Sequence, residues 1–266
     1  VLRVIPGDTI TGSLGIETGV LTPEQIDDLK RYYGIDKPLL LQYFSWITSF
    51  LSGDLGFAYS TGVSVLTLTA SSLPVTIELA LFGTISGVIM GIAIGMFSAK
   101  KPGSARDFFG QLFGLLALAI PGFVLSTAIV TIMANKFGYF PNGYEYMTPW
   151  EDLWMNLQQM LFPSIVLGIA VAAPVMRTTR SALLETVDKD FIRTAFGKGL
   201  KSRTVQFRHV LRNSLIPIVT MTGIQFGYLL GGAVIVEKIF ALPGMGRQIL
   251  DAINKREYAT VQSSVM

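Results

Sequence analysis

The residues able to do chemistry are few and scattered. Gly197-Lys198-Gly199-Leu200-Lys201-Ser202 invites a reading as a phosphate-binding loop. A nucleotide loop, however, needs glycine directly before its Lys-Ser/Thr pair, and here that place is Leu200; no strand is expected before it either. The 266 residues include one histidine, His209, and no cysteine, so neither a histidine cluster nor a thiolate metal site can be built. Glu78 is the one acid inside a long apolar stretch. Its spacing fits a carboxylate stabilised by a helix N-terminus, and equally a contact to a substrate or to an outer cap. With no acids or histidines at mid-membrane there is no proton or ion relay. The expectation is no catalytic residue, no cofactor and no metal.

One polar stretch stands out, Asp190-Phe191-Ile192-Arg193-Thr194-Ala195-Phe196-Gly197-Lys198-Gly199-Leu200. Written as a helix, it places Phe191, Ala195 and Gly199 four residues apart on one face, with Arg193 and Lys198 elsewhere on the surface. A large anchor beside two small residues suits a groove that needs close backbone approach. A basic amphipathic helix lying on anionic lipid satisfies the same periodicity.

The elements around it define an integral membrane protein. Half of the residues are hydrophobic, 15% are charged and the mean hydropathy is +0.52, too apolar for a soluble domain of this length. Four stretches predict spans, at about 75–99, 108–135, 161–178 and 214–236. Residues 1–73 read as the end of an earlier span (1–5) followed by a small helical cap, with a capping box at Thr22-Pro23-Glu24-Gln25 and an amphipathic run from Leu39 to Leu51. Pro74 and Glu78 are expected at the entrance of the first complete span. Pro121 with Gly122 should kink the second, Pro174 should let the third bend, and Gly227, Gly231 and Gly232 should permit tight packing of the fourth. Both ends of the chain read as cut.

Twelve of the 21 Lys and Arg residues fall in 98–107 and 177–212. The positive-inside rule sets those loops in the cytoplasm, so that 179–213 is a cytoplasmic loop while the cap, the aromatic 136–160 loop and 237–266 face outward.

The stretch from 190 to 200 resembles the cytoplasmic EAA loop of ABC importer permeases, in which Glu-Ala-Ala is followed after three residues by glycine. Arg193-Thr194-Ala195 and Gly199 occupy those places. The form Arg193 to Leu200, together with His209-Val210-Leu211-Arg212-Asn213, is similar to the B-type permeases of dipeptide, oligopeptide, nickel and glutathione importers. Ile5-Pro6-Gly7-Asp8, Gly53-Asp54-Leu55-Gly56, Leu73-Pro74, Ile120-Pro121, Gly231-Gly232-Ala233-Val234 and Pro243-Gly244-Met245-Gly246-Arg247 resemble further landmarks in family order.

The resemblance implies an all-α polytopic bundle of the type I ABC importer kind, with four of six spans complete here. It implies a multi-pass protein of a bacterial or archaeal cytoplasmic membrane that forms half of a translocation pore. The implied partners are cytosolic ATP-binding subunits, a homologous second permease, an extracytoplasmic substrate-binding protein and the lipid bilayer, with no nucleic acid. Asp190, Phe191, Arg193, Thr194, Ala195, Lys198, Gly199 and Leu200 would couple to the ATPase. The contrasting classes are an ion-coupled carrier or channel, and a membrane scaffold that recruits a cytosolic partner.

Overall fold

The computed structural model describes residues 36–58 and 60–266, together with Glu24, Gln25, Asp28 and Arg31. Thr22 and Pro23 of the expected capping box, and the stub at 1–5, lie outside the described residues. The described residues are helical apart from turns and one isolated antiparallel bridge, Phe57 to Ser64. Contacts divide the chain into two units, residues 1–75 with 243–266, and residues 76–242.

In the first unit, Pro38 starts α1 (Leu39–Leu51). A glycine turn follows, in which Gly53 and Gly56 take φ of +86° and +80° and Asp54 Oδ1 accepts from the Gly56 N–H at 2.9 Å. This turn meets a segment two hundred residues on. The Ser263 hydroxyl donates to the Leu55 carbonyl at 3.0 Å, and Glu257 Oε1 accepts from the Ser60 N–H at 3.0 Å. Glu257 precedes α10 (Tyr258–Val265), itself preceded by α9 (Met245–Asn254).

The second unit holds the long helices. Helix α2 (Val65–Ala99), most of which belongs to this unit, is followed by α3 (Ala105–Ala119), α4 (Gly122–Phe137), α5 (Leu153–Val187) and α6 (Asp190–Gly197). A single turn at Ser202–Thr204 then leads through a π-helical stretch, Val205–Leu211, straight into α7 (Arg212–Gly232), and α8 (Val234–Ile239) closes the unit. Three of these helices are long and apolar enough to cross a membrane, or four spans if α3 and α4 count as one.

The helix boundaries amend some of the expectations and agree with others. Pro74 lies inside α2, which begins nine residues before it, so Glu78 is four turns into the helix rather than at its N-terminus. Pro163 and Pro174 both sit within an unbroken α5. The sharp bend is at Pro121, where α3 and α4 meet at 92°. Proline there has no N–H to continue α3 and instead serves as N-cap of α4. The helix expected over 214–236 ends at Gly232, because Ala233 breaks it before α8.

The second unit is held by a backbone-to-backbone contact between α2 and α5. Gly83, Gly87, Gly91 and Gly95 line one face of α2 at intervals of four. A Cβ at Gly87 would lie 2.5 Å from Val171 Cβ, one at Gly91 2.8 Å from Val175 Cβ and 2.9 Å from the Ala172 carbonyl, and one at Gly95 2.8 Å from the Met176 carbonyl. These distances leave no room for any side chain. Gly227 and Gly231 of α7, by contrast, have nothing within 4 Å of an added Cβ, so they pack nothing within the described residues.

A buried ion pair locks the same assembly at one end. Asp107 of α3 accepts two bonds of 2.7 Å from Arg180 Nε and Nη2 of α5. Its carboxylate also accepts from the Ser98 hydroxyl at 2.6 Å, the Gly103 N–H at 2.9 Å and Gln111 Nε2 at 3.1 Å. Every lone pair of this buried carboxylate has a donor, which is the condition under which a buried charge is tolerated.

Gly91→Ala should lower stability by about 1–3 kcal/mol, because the helices must separate to admit the methyl group. Gly227→Ala should leave it unchanged or raise it slightly, through helix propensity; thermal unfolding in mild detergent compares the two. Asp107→Leu alone should cost about 3 kcal/mol by stranding the Arg180 charge, and Asp107→Leu combined with Arg180→Met should recover most of that loss. If the double variant were as unstable as the single one, the pair would not be the element being tested.

Candidate functional site

The polar segment that the sequence singles out is built on the ends of two spans. Thr186 closes the last turn of α5, and its hydroxyl lies 3.0 Å from that of Ser214 at the start of α7; Ser214 Oγ also lies within reach of the Val210 and Ala182 carbonyls at 2.9 and 3.1 Å. The two spans are thus joined by hydrogen bonds where α6 leaves one and returns to the other.

Helix α6 has a buried side and an open side. Ile192 and Ala195, three residues apart, enter an apolar core with Leu183 of α5 and Val205 and Val210 of the π-helical stretch, and Met96, Ala99 and Leu211 pack against it. The opposite face carries Asp190, Arg193, Thr194 and Gly197, all exposed. Phe191 and Phe196 flank that face, 45% and 48% exposed. An exposed ion pair joins Arg193 to Asp190 at 3.4 Å, and another joins Lys189 to Glu185 at 3.0 Å; such pairs add little stability.

The expected contact face of Phe191, Ala195 and Gly199 is therefore not one face. Ala195 points into the core, and the helix stops before Gly199 is reached. Lys198 is its C-cap, and Gly199 takes φ +78°. The Gly199 N–H donates to the Phe196 carbonyl at 2.9 Å and the Leu200 N–H to the Ala195 carbonyl at 3.3 Å. That is the Schellman pattern, which needs a residue free to adopt the left-handed conformation. Gly199 is glycine in order to end the helix. The helical glycine on the open face is Gly197, where an added Cβ would meet nothing within 4 Å. An apolar pair three residues apart, Ile192 and Ala195, set against polar Asp190, Arg193 and Thr194, was the sequence signal for this orientation. The Gly197-to-Ser202 stretch ends one helix and begins a single turn, so a helix stands where a phosphate loop requires a strand.

At the other end of the unit, α5 organises the loop that precedes it. Asp152 caps α5, its Oδ1 accepting from the Met155 N–H at 3.0 Å. Gln159 donates to the Glu145 carbonyl at 2.9 Å and accepts from the Met147 N–H at 3.0 Å, while Asn156 donates to the Met147 carbonyl at 3.0 Å. Tyr146 donates to Glu78 Oε2 at 2.6 Å. Burial and that carboxylate push the Tyr146 phenol well above its ordinary range. Glu78 thus holds a loop to α2. A second acid that the sequence did not flag, Glu237 of α8, is fully buried and accepts from the Thr76 hydroxyl at 2.9 Å. Among the described residues no three His, Asp or Glu side chains gather as a metal ion would require.

Residues 91–266 match the family described as the binding-protein-dependent transport system inner membrane component. The chain is 34% identical over 265 residues to a glutathione transport system permease protein of Pectobacterium atrosepticum, covering 100% of this chain and 83% of that protein. It is 32% identical over 285 residues to a dipeptide transport system permease protein of Alkalihalophilus pseudofirmus, covering 100% and 85%. In fold it resembles the crystal structure of an amino acid ABC transporter with histidines, at a TM-score of 0.54 and 17% identity, over 75% of this chain and 85% of that one. With two relatives similar along its whole length and a family match over most of it, the chain belongs to the binding-protein-dependent inner-membrane components, the membrane permeases of ABC importers.

Proposed function

We propose that this chain forms half of the translocation pore of an ATP-driven importer for di- or oligopeptides or a similar small solute such as glutathione, and that α6 is the point at which a separate cytosolic ATPase grips it. The substrate class follows from the relatives' names. A homologous second permease completes the pore, and an extracytoplasmic binding protein delivers the solute to the outward loops. ATP hydrolysis belongs to the partner subunits. The basic loops at 98–107 and 177–212 face the cytoplasm, so the chain is a multi-pass protein of the cytoplasmic membrane with α6 on its inner side.

The observation that carries this reading is the mounting of α6. Its buried side rests on a core shared by α5 and the π-helical lead into α7, while its other side is open. A push on the open side is passed to two spans at once through packed side chains, which transmit displacement because the packing is dense. Rigid-body tilting of the spans then opens the path to one side of the membrane or the other. Asp190, Arg193, Thr194 and Gly197 form the gripped face, with Phe191 and Phe196 at its edges, and Lys198 adds charge. Gly199 and Leu200 fix where the helix ends, and Ala195 fixes how it is seated.

Because the chain has no cysteine, single cysteines test the orientation directly. Thr194→Cys should crosslink to a cysteine in the docking groove of a co-expressed ATPase subunit, in a nucleotide-sensitive way, whereas Ala195→Cys should not. Equal crosslinking at both positions would show that α6 is not seated as described. Gly197→Trp should reduce uptake at least about tenfold, by obstructing the gripped face, with insertion intact. Unimpaired uptake by that variant would remove the docking role and favour a helix that merely rests on lipid.

A further inference from the structure

Between α3 and α5 lies an open groove of about 520 Å³. Its apolar wall is formed by Phe108, Leu112, Leu115 and Met176. Phe108 and Leu115 are among the chain's exposed large apolar side chains, so this wall continues outward along the surface of the bundle. The remaining lining is polar: Gln111 of α3, and Arg177, Arg180 and Ser181 of α5.

The charges of this groove do not balance. Arg180 is neutralised by Asp107, and Gln111 donates to the same carboxylate. Arg177 has no ion pair or hydrogen bond among the described residues, and neither does the Ser181 hydroxyl. Arg177 also lies three residues along α5 toward the membrane interior from Arg180, about 4.5 Å deeper. A guanidinium at such a depth is stable only when water or an anion reaches it. The chain shapes the space for one. A Cβ at Gly114 would fall 3.7 Å from Arg177 Nε and 2.5 Å from Met176 Cε, so the arginine lies across a position kept bare on α3.

We propose that this groove binds an anionic phospholipid of the inner leaflet, with the Arg177 guanidinium and the Ser181 hydroxyl on its phosphate and an acyl chain along Phe108, Leu112 and Leu115. Charge complementarity selects the anion, and the apolar wall selects a lipid over a free ion. A basic pocket between helices on the cytoplasmic side matches the chemistry of such headgroups. The site rests on the orientation proposed above. Bound there, the lipid sits on the same pair of helices that Asp107 and Arg180 join, and it fills the space that would otherwise open between α3 and α5.

The test uses the intact importer complex, extracted in mild detergent from vesicles of mixed phosphatidylcholine and phosphatidylglycerol, with retained lipid counted by native mass spectrometry. Wild type should retain phosphatidylglycerol about fivefold or more over phosphatidylcholine. Arg177→Gln should abolish that preference and Arg177→Lys should keep part of it. Lys100→Gln with Lys101→Gln, two equally basic changes outside the groove, should leave it intact. The proposal is overturned if Arg177→Gln retains phosphatidylglycerol as wild type does, or if the Lys100 and Lys101 changes remove it as fully, since retention would then be diffuse. Displacement by millimolar inorganic phosphate would also overturn it, by showing a site for free anions. Uptake measured on the same wild-type complex reports the importer reading separately: lipid retained without uptake would count against that reading alone.

Discussion

The second unit depends on how closely two backbones approach. Water drives helices together through their apolar side chains, but in a bilayer the lipid tails are equally apolar, and association must come from packing and hydrogen bonds. Four glycines on α2 answer this constraint by removing side chains along one stripe, so that Val171, Val175 and Thr179 of α5 lie against bare backbone. The result is a two-helix post whose atoms are in contact along several turns. Of the long apolar helices α5 is the most buried within the chain, α2 is less so and α7 is the least. The post is the part of the unit with the least freedom to deform.

The larger hydrogen-bond networks lie toward the two ends of that post, while between them the Ser86 hydroxyl of α2 donates to the Ser164 carbonyl of α5 at 3.1 Å. Asp107, Arg180, Ser98 and Gln111 join α3 and α5 beside the basic loop at 98–107. At the opposite end, Glu78 and Tyr146 tie a loop to α2, and Asn156 and Gln159 hold the same loop to α5. Burying a charged group is costly unless it is hydrogen-bonded, and the Asp107 carboxylate meets that condition with donors on both oxygens.

Helix α6 is seated at one end of that post, against Leu183 of α5 with Met96 and Ala99 of α2 beside it. Eight residues are too few for a helix to persist alone in water. It persists because Ile192 and Ala195 are buried under Leu183, Val205 and Val210, and because Gly199 closes its end. The residues that seat the helix are therefore distinct from those open to a partner. The π-helical winding of Val205–Leu211 directly after it places an irregular, locally wider turn between the seated helix and α7; such turns recur at functional positions in helices.

Composition and apolar run length alone determined that the chain is helical and spans a membrane, because a bilayer leaves few ways to satisfy a backbone. Local pattern likewise located α6 and the break at Pro121, since both arise from residues adjacent in sequence. What pattern left undecided was partnership. The glycines of α2 and those of α7 have the same spacing and residue type, yet among the described residues only the first set meets another backbone; Asp107 and Arg180 stand 73 residues apart, and Thr76 and Glu237 stand 161 apart. Glu78 was expected at a helix N-terminus or against a substrate or the cap, and instead accepts from Tyr146 of the loop before α5. The same holds for Ala195 and Gly199, which repeat at helical spacing although one is held by a core drawn from three segments and the other by the geometry of a helix end. Tertiary structure settled these points because each depends on which surface arrives opposite, and that is a property of the folded chain rather than of any window along it.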